Sequence, residues 1–257
     1  MKLQDVYRLA DGIAPFALSG EYREKFGHYD NSGIILDCGE QITGVLFSLD
    51  LSGRAVEAAK KSGANCIFTH HPAIYMPIGS LTEHEGRHVL ACAKAHISVI
   101  SAHLNLDAAE GGIDESLMHG LGGRKAIAAM DALCGGAYGR VYDIAKTPLD
   151  EFANRVKATF HTERVIAYGE KPVGRIASFC GAGFDEGAVG FALKNGADTV
   201  VSSDGKHHVI TEAAERGLNV VLLTHYAAEN YGFEKFYEKM KACLEVPCDF
   251  FTDDRLL

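Results

Sequence analysis

Features typical of membrane, secreted and nucleic-acid-binding proteins are scarce in this sequence. Its 257 residues contain no apolar run of transmembrane length, and the first residues lack the apolar segment of a signal peptide. No run of lysine and arginine is long enough to neutralise a nucleic-acid backbone, and the formal net charge is −9. We therefore expect a cytoplasmic protein with no membrane contact, and we disfavour a nucleic-acid partner.

Paired cysteine spacings are also missing. The seven cysteines are scattered, and none forms a Cys-x-x-Cys pair, which argues against a disulfide framework and against a thiolate metal site. Cys66 and Cys180 lie in apolar strand-like runs, where a buried free thiol is the usual explanation. The contents of 47% hydrophobic and 23% charged residues are those of an ordinary globular protein.

Short apolar strand patterns alternate with helical patterns along most of the chain. The strand patterns cover residues 42–49, 65–69, 97–102, 164–168, 175–180, 199–202 and 219–224. The helical patterns cover residues 53–62, 85–95, 149–159, 186–195 and 208–216. This alternation predicts the α/β fold class, with mixed sheets covered by helices.

The chain also repeats itself. Residues 55–65 match residues 188–198 at a constant shift, and each segment predicts a helix, a glycine stop and a strand. Residues 97–107 parallel residues 219–229, because both run from a strand to a histidine and then to an acid. Two matches in the same order favour two similar, pseudo-symmetric α/β halves over chance similarity. We place the halves at 1–125 and 126–257, with a soft boundary in a glycine-rich stretch, and leave the path of the last helix open.

The sharpest local signal is an apolar strand pattern that ends on His70 and His71, followed by Pro72. Open α/β sheets place their ligands at the carboxyl ends of strands, so the pair predicts a metal site. Proline keeps the preceding residue out of the α region, so the chain leaves the strand extended and the two imidazoles can bind neighbouring ions. The alternative is a histidine pair that caps backbone carbonyl groups.

Asp107 and His103 follow the next strand pattern. Asp107 is a candidate ligand, although its carboxylate could instead cap a helix that begins with Ala108 and Ala109. His103 could be a ligand, a residue that orients a ligand or a proton shuttle. We expect an orienting or proton-transfer role, since such partners commonly accompany metal ligands.

His225 and Glu229 follow a further strand pattern and lie four residues apart at the start of a predicted helix. This spacing places both side chains on one face, where they can converge on one ion. The alternative for Glu229 is an acid favoured by the dipole of the helix in its first turn.

The candidate ligands together supply three imidazoles and two carboxylates, from His70, His71, Asp107, His225 and Glu229. Divalent Zn, Fe, Mn, Co and Ni accept this mixture, whereas Ca and Mg prefer oxygen. Five protein ligands are too many for one catalytic zinc ion with an open position, and they suit two ions that share a bridging carboxylate and a bridging water. We therefore predict a dinuclear metal site between the two halves.

The second half contains further candidates. A glycine-rich turn at residues 179–187 is weak evidence for phosphate binding, and a tight strand-to-helix turn is the alternative. By the internal match, Ser203 and Asp204 occupy the position of the histidine pair, so this half could supply substrate contacts. His208 is a second candidate for proton transfer, with a surface or packing role as the alternative, as for His207.

Short motifs that run in one order across nearly the whole chain resemble the Nif-three-like (Ngg-one-interacting factor three) family, whose bacterial members are often labelled GTP cyclohydrolase 1 type 2 homologues. They lie at residues 29–33, 48–50, 69–72, 103–107, 138–140, 181–183, 197–198, 203–208 and 224–229. The resemblance implies a dinuclear metal site in a two-part α/β protein that forms a ring-like hexamer, and its ligands match the five residues above. Tyr29 stands where the family often has tryptophan, and the inserted middle domain of longer members is missing.

These features predict a dinuclear metal-dependent hydrolase that acts on a small polar substrate. The most specific form of this prediction is purine ring opening of the GTP cyclohydrolase kind. Hydrolysis of a phosphoester or an amide would use the same metal ligands. The alternative function is a metal-binding scaffold or regulatory partner protein without turnover.

Overall fold

A computed structural model describes all residues from 1 to 257. In the first part of the chain the elements are α1 (Leu3–Ile13), α2 (Ala17–Phe26), β1 (Gly33–Leu36), β2 (Val45–Ser48), α3 (Gly53–Ser62), β3 (Cys66–Thr69), α4 (Arg87–Lys94), β4 (Ser98–Ser101), α5 (Leu104–Ala108) and α6 (Ile113–Gly120). They are followed by β5 (Ala128–Leu133), β6 (Gly136–Thr147), α7 (Leu149–Phe160), β7 (Val165–Tyr168), β8 (Val173–Ser178), α8 (Glu186–Lys194), β9 (Thr199–Ser202), α9 (His207–Glu215), β10 (Asn219–Leu223), α10 (His225–Cys243) and β11 (Cys248–Phe251). The predicted α/β class with mixed sheets and covering helices is confirmed.

The chain divides into two compact units, residues 1–109 with 233–253 and residues 110–232 with 254–257. These bounds differ from the predicted halves 1–125 and 126–257. The first unit gains residues 233–253 because β11 pairs in parallel with β2 and because Phe233 and Phe236 pack on Phe47. The path of the last helix, which the sequence left open, thus returns to the first unit from Phe233 onwards.

The first unit contains a five-stranded sheet in the order β1-β4-β3-β2-β11. All neighbours are parallel except β1, which pairs antiparallel with β4. Strands β2, β3 and β4 are buried along their whole length, which explains their continuous apolar sequences. The three strands end at Ser48, Thr69 and Ser101, so the residues that follow them lie at one edge of the sheet.

The second unit contains a six-stranded sheet in the order β5-β6-β8-β9-β10-β7. Its parallel centre consists of β8, β9 and β10, and the outer pairs are antiparallel. Strands β9 and β10 end at Ser202 and Leu223, immediately before the segments that contain Asp204 and His225. This edge therefore positions the candidate residues of the second unit.

The helix–glycine–strand predictions are confirmed in both units. The Ser52 hydroxyl accepts a hydrogen bond from the backbone N–H of Ala55 at the start of α3, and Gly63 ends that helix with φ 77°. The Asp185 side chain accepts a hydrogen bond from Ala188 N–H at the start of α8, and Gly196 follows with φ 69°. In each case the strand after the glycine is fully buried.

The glycine-rich stretch taken as a soft boundary contains secondary structure that the sequence did not predict. Strand β5 and the turn into β6 lie here, with Leu133 paired to Gly136 and Gly135 at φ 91° between them. These strands escaped the apolar pattern because many of their residues are only half-buried and several are glycine or charged. No helix in the structure combines the length and the apolar character that crossing a membrane requires.

Candidate metal centre

Three imidazoles lie together at the strand-end edge of the first unit. His70 and His71 directly follow β3, and His103 lies two residues beyond β4. The ring centroids of His70 and His71 are 4.9 Å apart, and that of His103 lies 5.3 Å from His70. One ring nitrogen from each lies within 4.8 Å of the others, so the cluster could hold a metal ion.

Each of these rings is fixed through its Nδ1 atom by an oxygen. Nδ1 of His70 donates to the carbonyl oxygen of Ala102 at 2.8 Å. Nδ1 of His71 lies 2.6 Å from a carboxylate oxygen of Asp50, and Nδ1 of His103 lies 2.9 Å from one of Asp30. Because these oxygens accept a hydrogen bond from Nδ1–H, a neutral ring carries its lone pair on Nε2, which is the state of a metal-ligating histidine.

Asp107 lies next to this cluster within the same unit. Its Oδ1 atom is 3.4 Å from Nε2 of His70, and its side chain is only 6% exposed. The alternative role as a helix cap is wrong, because α5 begins earlier, with His103 as its N-cap residue, and Asp107 lies inside the helix. A buried carboxylate requires a compensating charge or hydrogen bonds, and a divalent ion held with His70 would supply that charge.

Asp30 is the partner of His103, and its side chain is only 2% exposed. Burial by itself would raise the pKa of this carboxyl group, but hydrogen bonds and the charge of His103, together with hydrogen bonds from Ser19 and Ser32, lower it overall. The Ser32 hydroxyl also accepts a hydrogen bond from the backbone N–H of His103 at 2.9 Å. The position and orientation of His103 are therefore fixed at two points.

His225 and Glu229 form the candidate ligand pair of the second unit. His225 opens α10, and its Nε2 atom lies 3.0 Å from Oε2 of Glu229 one turn later. Nδ1 of His225 lies 2.7 Å from Oδ2 of Asp204, which repeats the arrangement of His71 and Asp50. Glu229 is buried and lies beyond the first turn, which contains no acid, so the proposed favourable contact with the helix dipole does not explain it.

The glycine-rich turn at residues 179–187 lies against this pair. Gly181 has φ +58°, and a Cβ atom added there would overlap Oε1 of Glu229 and lie 3.4 Å from Nε2 of His225. Asp185 from the same turn caps α8. The turn is therefore a tight strand-to-helix connection whose glycine permits close approach to a buried acid.

A buried carboxylate that the sequence did not reveal holds this turn in place. Asp114 is fully buried and accepts hydrogen bonds from the backbone N–H groups of Gly139 and Cys180 and from the guanidinium group of Arg140. The Tyr138 hydroxyl donates to the carbonyl oxygen of Cys180 at 2.6 Å. Burial raises the pKa of Asp114 to about 6 against the lowering effect of Arg140 and the two N–H groups.

The remaining candidates lie outside these clusters. His208 is exposed on α9, and its Nε2 atom lies 3.0 Å from Glu186. His207 is also exposed, at the start of the same helix. Asp30, Asp50 and Asp204 lie in motifs that were recognised in the sequence, but nothing local showed that each would contact a histidine 73, 21 and 21 residues away.

The candidate ligand atoms of both units suit a divalent ion that is neither hard nor soft in its choice of ligands. The clusters offer imidazole nitrogens with their Nδ1 atoms already engaged, together with the carboxylates of Asp107 and Glu229. Nitrogen and oxygen donors in this mixture bind first-row transition ions. The residues present therefore fit the predicted metals, with neither unit alone supplying all five predicted ligands.

Comparisons with known proteins give a consistent result. The sequence model of Duf34/NIF3 (NGG1p interacting factor 3) matches residues 1–254. A Clostridium perfringens protein called GTP cyclohydrolase 1 type 2 homolog is 31% identical, covering 97% of this chain and 95% of that protein. A hypothetical protein from Staphylococcus aureus superposes with a TM-score of 0.85 at 22% identity, covering 98% of this chain and 97% of that one. Reduced HcgD from Methanocaldococcus jannaschii superposes with a TM-score of 0.83 at 25% identity, covering 98% of both chains.

Proposed function

The chain belongs to the Duf34/NIF3 family, and we propose that it is a dinuclear metal-dependent hydrolase of a small polar substrate. The ions would be two divalent transition-metal ions of zinc, iron, manganese, cobalt or nickel, held by His70, His71, Asp107, His225 and Glu229. The observation that carries the proposal is the engagement of Nδ1 of His70, His71 and His225 by oxygen atoms, which leaves Nε2 as the ligating nitrogen of each ring.

Two further points support two ions rather than one. Three imidazoles and two carboxylates exceed the protein ligands that a single catalytic zinc ion with an open position uses. We propose Glu229 as the bridging ligand, because its carboxylate is buried and lies beside His225 on one helical turn. Held by these residues, the two ions would lower the pKa of a bound water and polarise the bond under attack.

The residues of the chain would position the substrate and move protons. Asp30 fixes Nδ1 of His103, so Nε2 of that ring can accept or donate a proton at the edge of the ligand cluster. We therefore propose His103 as a proton-transfer residue and His208 as a second candidate. General acid–base assistance of this kind is typically worth about 10²- to 10⁴-fold in rate.

The names of relatives suggest a substrate class, which we propose for this chain. Several relatives are called GTP cyclohydrolase 1 type 2 homolog, which makes purine ring opening the most specific version. The test is a panel of GTP, phosphoesters and cyclic amides with metal-loaded protein. A metal-free sample and a His70→Ala variant serve as controls. Turnover that requires both metal and His70 supports the proposal, and no turnover of any substrate argues for the alternative.

That alternative is a metal-binding scaffold or regulatory partner protein. It is favoured by the family description, which names an interaction with NGG1p rather than a reaction. The two functions differ in one measurable respect. A scaffold would bind the ions as an enzyme would, yet it would show no metal-dependent turnover in the same panel.

We also propose a pseudo-symmetric origin of the two α/β halves and assembly into a homohexamer. The first is supported by the repeated unit of helix, glycine and parallel strand in α3–β3 and α8–β9. The hexamer rests on the family resemblance alone. Light scattering tests it, because six chains would have six times the monomer mass of 27.7 kDa, whereas a monomer at micromolar concentration would disprove it.

A further inference from the structure

The second unit contains a cavity of about 670 Å³ beside His225. This volume is typical of sites for small-molecule ligands. The cavity is lined by the carboxyl end of β10 and by residues 203–206, which lead from β9 into α9. Such strand ends are where open α/β sheets usually bind ligands.

Most of the buried side chains that line the cavity are apolar. Phe184, Leu222 and Leu223 line it and are 2%, 8% and 3% exposed, respectively. Ser203 also lines it, is 6% exposed, and has a buried hydroxyl group with no hydrogen-bond partner in the protein. An apolar lining with one buried hydroxyl group suits a largely apolar group with a polar edge.

Two exposed cations, Arg164 and Lys206, line the same cavity. Neither side chain forms an ion pair, and the guanidinium group of Arg164 donates only to the backbone carbonyl oxygen of Arg255 at 3.2 Å. Lys206 is also the N-cap residue of α9, whose amino terminus favours anions. The two cations are therefore available to a ligand.

The two carboxylates of the cavity have other partners. Asp185 accepts a hydrogen bond from the backbone N–H of Ala188 at 2.8 Å. Asp204 contacts Nδ1 of His225 at 2.7 Å. Both acids keep their negative charge, but a carboxylate can only accept hydrogen bonds. The charged donors of the cavity are Arg164 and Lys206, so these two residues are the ones that can hold an oxyanion.

From these contacts we infer that the cavity binds the substrate, and that the substrate is a nucleotide-sized small molecule that joins an oxyanion to a largely apolar group with a polar edge. Arg164 and Lys206 hold the oxyanion, and Phe184, Leu222 and Leu223 contact the apolar group. The inference rests on the proposed function, because Asp204 both lines the cavity and fixes the proposed metal ligand His225.

Calorimetric titration with guanosine monophosphate tests the inference. Guanosine and ribose 5-phosphate serve as probes that each lack one half of the nucleotide. We expect the nucleotide to bind more tightly than either half, and Arg164→Gln and Lys206→Gln each to weaken its binding by about tenfold or more, as expected for hydrogen bonds to charged groups. Arg216→Gln is the matched control, because Arg216 pairs with Glu212 on α9 and does not line the cavity.

Metal content and turnover are measured on the same samples, so that the two proposals can fail separately. Wild-type protein that does not bind the nucleotide, or nucleotide binding that is equally strong in both cavity variants, overturns the inference even if the ions and turnover are present. Nucleotide binding that requires Arg164 and Lys206 supports it, including in protein that holds no metal, where only the proposed function fails. Thermal unfolding of each variant verifies that it is folded.

Discussion

The carboxylate of Asp204 and the imidazole of His225 meet at 2.7 Å, through the ring nitrogen that points away from Glu229. This contact fixes the ring so that Nε2 faces the acid on the next turn. Asp50 and His71 form the same contact at 2.6 Å in the first unit. Both histidines are thus oriented by residues that are not themselves proposed ligands.

We predict that Asp204→Ala and Asp50→Ala each lower metal affinity by about 10- to 100-fold, the typical loss when a residue that orients a ligand is removed. The variants are compared by competition with a metal-binding dye. Asp143→Ala is the control, because this exposed acid pairs with Arg175 and contacts no histidine. Affinity that falls equally in the control and in the two variants would contradict the prediction.

Gly181→Ala should also weaken metal binding. Alanine would have to adopt φ near +58°, which residues with a side chain rarely do. Its methyl group would also displace the carboxylate of Glu229. Gly190→Ala is the matched control, since an added Cβ there meets nothing within 4 Å and alanine in the helix should stabilise by about 1 kcal/mol. Elemental analysis together with thermal unfolding separates the two effects. Unchanged metal content in Gly181→Ala would show that Glu229 needs no such space.

His103→Ala should leave the ions largely in place while it slows turnover by about 10²- to 10⁴-fold, because we propose a proton-transfer role. His225→Ala should instead lose metal. The two histidines are directly comparable, because Asp30 orients His103 as Asp204 orients His225. A ring nitrogen of His103 also lies near those of His70 and His71. Metal content that falls as far in His103→Ala as in His225→Ala would make His103 a ligand.

Asp114 predicts a specific pH dependence of stability. Burial raises its pKa from 3.8 to about 6, so between these values the folded state binds more protons than the unfolded state. The stabilising contribution of its protonation is complete below pH 3.8 and is lost as the pH rises through about 6. Unfolding of metal-free wild type and Asp114→Asn from pH 4 to 7 measures the difference. Wild type should lose stability relative to the variant as the pH rises, and a relative gain would contradict the prediction.

Much of the fold follows from local sequence. The buried parallel strands β2, β3, β4, β9 and β10 are continuous apolar runs, and the caps of α3 and α8 are local motifs. Strands β5 and β6 could not be found in this way, because they are only partly buried and their register depends on each other and on β8.

The candidate ligands could be proposed because each directly follows a strand or lies one helical turn away, whereas their partners could not. Asp30 contacts His103 across 73 residues, and Asp114 reaches Cys180 across 66. Only the folded chain brings these groups together. Asp107 could be taken for a helix cap in the sequence, whereas it lies inside α5. The difference arose because the sequence did not show where this helix begins.

The number of ions per chain tests the central claim most directly. Protein is purified without added metal, incubated with an excess of one kind of divalent ion, and then freed of unbound ions. Its metal content and its protein concentration are measured. We expect two ions per chain in wild type, with lower occupancy in His70→Ala, His71→Ala and His225→Ala. Wild-type protein that retains no more than one tightly held ion per chain would contradict the dinuclear centre.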